Sequence, residues 1–236
     1  MRAPIAAFIA LVVSGCQQTN QQALEAAKPA WLGVRAALPA LAALVGQPGE
    51  GRLEGVSWVE LDPSQSTATF LTREQLNDPD SEWDEEAAGL GKVDVHAGGD
   101  FLHCLNWTGP RSKMSSNALK ERSGDRLSME CQLALQTQYL IVLEQTANLP
   151  PVLTHEGAFE GGEATARVTV IDRLASKVLA SFSVEGKPGQ RVKSEAKPGE
   201  DGAVRLTAAV HSTMWTHARQ QIFERLRERG ATMTPR

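Results

Sequence analysis

Apolar positions along this chain change their period several times, and each change marks a predicted element. Leu24, Ala27, Trp31, Val34, Leu38, Leu41 and Val45 recur at alternating spacings of three and four, which sets them on one stripe of a helix. Pro29 and Pro39 fall inside that run. An internal proline removes a hydrogen bond and clashes with the preceding turn, at about 3 kcal/mol, so the run is expected to divide into one or two shorter helices. Packing on its own domain is the usual fate of such a stripe; docking a partner or lying on a membrane are the alternative uses.

Gly46-Gln47-Pro48-Gly49-Glu50-Gly51 then breaks the pattern with turn formers. Val56 to Leu61 and Thr67 to Leu71 read as strands, separated by Asp62-Pro63-Ser64 in the manner of a hairpin. Phe101, Leu102, Cys104 and Leu105 predict a short helix or strand ending near Thr108-Gly109-Pro110. From Asn117 to about Gln138 the residue types favour helix, interrupted at Gly124, with Leu127, Cys131, Leu135 and Gln138 on one stripe.

Tyr139 to Glu144 is an apolar run of central-strand length, and Ala164 to Ile171 and Lys177 to Val184 form two more strands joined by a short polar connection, an antiparallel hairpin. Gly186 to Gly202 is a loose segment. Arg205 to Arg229 closes the chain as a helix: Met214, Ala218, Ile222 and Leu226 recur every four residues beside Trp215 and Phe223. Arg219, Arg225, Arg227 and Arg229 load its last turns with positive charge, which suits the negative end of its dipole. This order of elements predicts an α+β fold, a largely antiparallel sheet with helices packed on one face, as a single domain over residues 51–236. Residues 16–50 would form a tether and helical segment ahead of it.

Composition narrows the function classes. The 236 residues are 42% hydrophobic and 22% charged, with a formal net charge of -4 and 5% aromatics that include one tyrosine. An acidic balance with few aromatics argues against a nucleic-acid surface, which needs concentrated positive charge and stacking platforms.

The first fifteen residues carry their own pattern. Arg2 is followed by an uncharged apolar stretch from Ile5 to Val13 and then by small residues, the layout of an export signal. Nine residues at about 1.5 Å each reach only about half of a ~30 Å hydrocarbon core, too short to span it. The sequence Val13-Ser14-Gly15-Cys16 resembles the lipobox of bacterial lipoproteins. The resemblance implies cleavage after residue 15, diacylglycerol on the Cys16 thiol and acylation of the new amino group. Two or three acyl chains, at ~0.8 kcal/mol per buried methylene, hold a domain to a bilayer where one does not. Gln17 stands where an inner-membrane retention signal in this class has Asp, so the resemblance implies a lipid anchor in the outer membrane, facing the periplasm. Gln17 to Gln22 is polar and reads as the tether.

With Cys16 given to lipid, Cys104 and Cys131 remain as an even pair in an oxidising compartment, where a disulfide is the expectation and two buried free thiols the alternative. Closing that loop of about 27 residues stabilises by ~3.5 kcal/mol in the chain-entropy treatment.

Candidate chemistry is sparse. Asp78, Asp80, Glu82 and Asp84 alternate like calcium-loop ligands, but Trp83 stands where the loop needs Gly and Gly89 where it needs a bidentate Glu; the segment reads as a solvated acidic loop. Asn106-Trp107-Thr108 fits the glycosylation sequon and is read as chance in an exported bacterial chain. Gly89-Leu90-Gly91 lacks the third glycine of a dinucleotide fingerprint, and the chain holds no nucleophile elbow, HExxH or Walker loop. His211 and His217 would lie about 120° apart on a helix, and His96 and His103 are divided by Gly98 and Gly99, so neither pair predicts a metal site. No cofactor, metal or catalytic residue is assigned. The preferred expectation is a non-enzymatic binding or assembly partner of another envelope protein. The alternatives are an exported hydrolase drawing on His96, His103, His155 or Glu156, and a carrier of an apolar ligand.

Overall fold

Strands with buried β-branched residues such as Ile141, Val142, Val168, Val170 and Ile171 build the centre of the molecule, here a computed structural model that describes residues 20–59, 65–79, 99–108, 131–154, 158–188 and 201–235. In chain order the elements are α1 (Asn20–Ala42), β1 (Ser57–Val59), β2 (Ala68–Thr72), α2 (Arg73–Asn77), α3 (Gly99–Trp107), β3 (Tyr139–Leu149), β4 (Val152–Leu153), β5 (Phe159–Glu160), β6 (Glu163–Asp172), β7 (Lys177–Gly186), α4 (Gly202–Glu228) and β8 (Thr232–Thr234). Residues 131–135 are also helical.

The main sheet runs in the order β2-β3-β6-β7. β3, β6 and β7 are antiparallel neighbours, whereas β2 joins β3 in parallel. The class is α+β. Alternation along β6 divides the molecule into two cores. Ala164, Ala166, Val168 and Val170 face one way, with Ile141, Leu143, Ala180 and Phe182, and meet Met214, Trp215, Ala218, Ile222 and Leu226 of α4. Ile171 faces the other way and joins Leu140, Val142 and Leu71 under α1 and α3. Helices therefore lie on both faces: α4 covers one, and the α1 segment supplies a layer over the other.

The alanines on the first face let α4 come close. Gly186 is the tightest point, since a Cβ there would run into the Met214 carbonyl of α4. Asp201 caps α4 by accepting from the Ala203 and Val204 amides, and Gly230, at φ 96°, turns the chain out of its last turn.

The expectation of helices on one face changes first, because Leu71, Leu140, Val142 and Ile171 leave apolar surface on the second face that α1 and α3 cover; two more expectations change. α1 is one helix with Pro29 and Pro39 inside it. Both prolines are exposed, while Trp31, Val34, Leu38 and Leu41 on the opposite stripe are buried. Burial of that stripe outweighs the local cost of the prolines. The second change concerns β1 and β2, which are not a ladder-paired hairpin. β1 pairs in parallel with β8, and β2 with β3. The connection is held by one backbone bond, from the Thr67 amide to the Ser57 carbonyl at 2.9 Å, and by side chains: the Ser57 amide donates to Thr67 Oγ1 at 2.9 Å and the Val59 amide to Ser66 Oγ at 2.8 Å. Trp58 is thereby set between Phe223, stacked at 5.3 Å, and the edge of Phe70 at 5.1 Å.

Candidate functional site

The half of the second sheet face on which no helix packs among the described residues is polar, and it ends at the edge of β7. Strand alternation places Thr165, Arg167 and Thr169 of β6 beside Ser181, Ser183 and Glu185 of β7 on this side, each pair in register. Glu144 of β3 lies opposite Arg167 in the register and ion-pairs with it at 3.6 Å and with Arg73 at the start of α2. The largely buried Glu144 carboxylate therefore lies between two half-exposed guanidinium groups, a charge match on both sides.

Among the described residues β7 has no neighbouring strand on its outer side, and two parts of the molecule meet that edge in turn. At its start, residues 49–51 run antiparallel to it: the Gly51 amide donates to the Leu179 carbonyl at 2.7 Å and the Ser181 amide to the Gly49 carbonyl at 2.9 Å. This segment then leaves, because the Gln47 amide is drawn back to the Leu44 carbonyl of the turn after α1. At its far end, side chains of α4 take over. The Gln221 amide group donates to the Glu185 carbonyl at 2.8 Å and accepts from the Glu185 amide in a long bond of 3.5 Å. His217 Nδ1 accepts from the Lys187 amide at 3.0 Å. A carboxamide that offers N–H and C=O to one strand residue reproduces what a neighbouring strand would offer.

Ser183 lies between these two stretches. The outward groups on β7 belong to Ser181 and Glu185, so alternation turns the Ser183 N–H and C=O outward as well; among the described residues they have no protein partner. Beside them is a recess of about 540 Å³ lined by Thr165, Ser183, Glu185, Lys187, Gln221 and Arg225.

This arrangement offers hydrogen bonds rather than an activated nucleophile. Because His217 Nδ1 accepts a backbone N–H, the ring proton belongs on Nε2, and the Nδ1 lone pair faces Lys187 and Gln221, not a hydroxyl. Among the described residues no three His, Cys, Asp or Glu side chains gather where they could hold a metal.

The cysteines and a second cation complete the inventory. Cys104 on α3 and Cys131 on the helical segment at 131–135 are at disulfide distance, with S–S 2.03 Å and Cα atoms 5.6 Å apart, fully buried under α1. Trp31 Nε1 donates to the Cys131 carbonyl at 3.3 Å and Arg35 to the Leu105 carbonyl at 2.9 Å, so α1 holds both ends of the bridge. Arg173, in the β6–β7 turn, donates to the carbonyls of Leu135 and Thr137. Burial pushes its guanidinium below its usual pKa and neighbouring Asp172 pushes it back up.

Of the residues singled out in the sequence, Cys16, His96, His155 and Glu156 lie outside the described residues, as do Asp80, Glu82 and Asp84. His103 is on α3, and His211 and His217 are on α4. Sequence reasoning missed Ser183, Gln221 and Arg225. The alternation of Ser181, Ser183 and Glu185 marks a polar face, but nothing local marks β7 as an edge. Comparison of the chain with protein-family models, curated proteins and solved structures gives no match. Among the described residues no helix is long and apolar enough to cross a membrane.

Proposed function

We propose that this chain is a bacterial lipoprotein held in the outer membrane by lipid on Cys16, facing the periplasm, and that its domain is a non-enzymatic binding or assembly partner of another envelope protein. The observation that carries the reading is the position of the cysteines. Cys104 and Cys131 are within bonding distance of each other inside a core, which suits an oxidising compartment, and Cys16, the remaining one of three, stands where the lipobox resemblance needs it. The open length of β7 supports binding over catalysis, because what it exposes is backbone hydrogen-bonding capacity and not a nucleophile with its base.

Metabolic labelling with a fatty acid tests the anchor: label is expected on the wild-type chain and absent from Cys16→Ala, and equal labelling of the two would overturn it. Crosslinking in intact cells followed by mass spectrometry tests the partner. A single specific envelope protein is expected; random neighbours alone would count against the reading.

A further inference from the structure

We infer that the exposed edge of β7 at Ser183 takes an extended peptide segment bearing an acidic side chain, adding it to the sheet in line with residues 49–51. The inference deepens the envelope-partner reading and rests on it.

Three observations converge on this edge. The first is that it already accepts an extended segment: Gly49 and Gly51 pair antiparallel with Ser181 and Leu179, and the strand geometry they set continues toward Ser183 after the chain itself turns away. The second is that the far end is closed by a peptide-like group, since Gln221 meets both backbone groups of Glu185 with its carboxamide. The intervening N–H and C=O of Ser183 thus define a slot about one residue pair long, bounded on both sides by groups that behave as strand partners. A segment of about three residues fits it, its middle residue exchanging hydrogen bonds with Ser183.

The third observation is charge. Residues flanking the paired one project to the opposite side of the sheet from Ser183, the side on which α4 packs, where Gln221 and Arg225 border the recess; Lys187 closes its end. Two cations against the single carboxylate of Glu185 leave this recess with net positive charge, on a chain whose overall charge is -4. A carboxylate on the entering segment is the complement, and a charge-assisted bond to an exposed guanidinium supplies selectivity over its amide counterpart. A long Gln side chain is also a removable stop. If it swings aside, Glu185 is freed and the paired stretch lengthens without disturbing the core, because Gln221 is only partly buried.

The test uses the full chain in detergent and the peptide Glu-Thr-Glu-amide carrying fluorescein on its amino end through a short flexible linker, followed by anisotropy. Saturable binding is expected, weakened about tenfold or more when both Glu are replaced by Gln, when the central residue is N-methylated, or when the protein carries Arg225→Glu. Ser183→Pro removes the outward N–H at an edge position where proline is tolerated and should weaken binding similarly; the N-methylated peptide asks the same question without altering the protein. Absence of saturable binding, or equal binding of the Glu, Gln and N-methylated peptides, overturns the inference. A photoreactive residue in place of Ser183, and separately in place of the exposed Leu32 of α1, then separates this inference from the reading beneath it. A specific partner captured in cells through position 32 and not through 183 overturns the edge site and leaves the envelope partner standing. Peptide binding as expected with no partner from either position sinks the envelope-partner reading alone.

Discussion

Arg173 illustrates how one side chain can join elements that share no sequence neighbourhood. It follows β6 in the hairpin turn, yet its guanidinium donates to the Thr137 carbonyl at 2.7 Å and 3.0 Å and to the Leu135 carbonyl at 3.0 Å. These are the end of the helical segment at 131–135 and the approach to β3, where last-turn carbonyls need partners. Arg173→Ala should cost about 2 kcal/mol of folding free energy, the scale of a charged hydrogen-bond set lost with acceptors left buried. Urea unfolding measures it, and Arg173→Lys should recover part of the loss but not all, since one ammonium cannot replace the planar fork. No pattern in the sequence distinguished Arg173 from other arginines in turns. Its role depends on where residues 135 and 137 come to rest. Cys104 and Cys131, by contrast, were legible as a candidate pair from their even number once Cys16 is set aside and from the export pattern expected of residues 1–15, because cysteine chemistry is restrictive enough to read without coordinates.

At the level of elements, helix periodicity carried more than the helix breakers did. The stripe in α1 is buried at Ala27, Trp31, Val34, Leu38 and Leu41, while Pro29 and Pro39 sit on the exposed side of the same helix. The expectation of a division at the prolines weighed a local cost and left out the burial of an aromatic and several aliphatic side chains, at roughly 1.5–3 kcal/mol each. Pro29→Ala restores a donor to the Glu25 carbonyl and should raise stability by about 1 kcal/mol, part of the gain being offset by a more flexible unfolded chain. The midpoint of chemical denaturation reads this out; a fall would mean that the proline shapes a bend the packing needs. Strands β6 and β7 and their antiparallel connection were equally legible, since two-residue alternation and a short polar turn are both local signals. The pairing of β1 was not. Three residues of Ser-Trp-Val carry no information about whether their partner is β2, close in sequence, or β8 at the far end of the chain.

Across the whole molecule, α1, α3 and the segment at 131–135 form a cap on one sheet face whose internal tie is the Cys104–Cys131 bridge. Its 27-residue separation corresponds to ~3.5 kcal/mol of restricted unfolded-state entropy. Replacing both cysteines with alanine should lower stability by about that amount and lower the thermal midpoint. The same treatment should leave the β7 edge intact, because that edge is framed by α4 and residues 49–51; unchanged anisotropy titrations with the acidic peptide check this. A loss of peptide binding in the double variant would show that the two faces are not independent.

What could be read without coordinates was whatever local periodicity encodes: the helical stripes, the alternating strands, the break at residues 46–51, the α+β class and the pair of cysteines available for bonding. Neighbouring residues alone set those patterns. Folding in three dimensions decided which strand met which, that helices would occupy both faces, that two prolines could stay inside one helix, and that the backbone of β7 at Ser183 would have no partner among the described residues. Each of these depends on hydrogen bonds and buried surface shared between segments far apart in the chain, and such partners leave no mark on the spacing of residues within either segment.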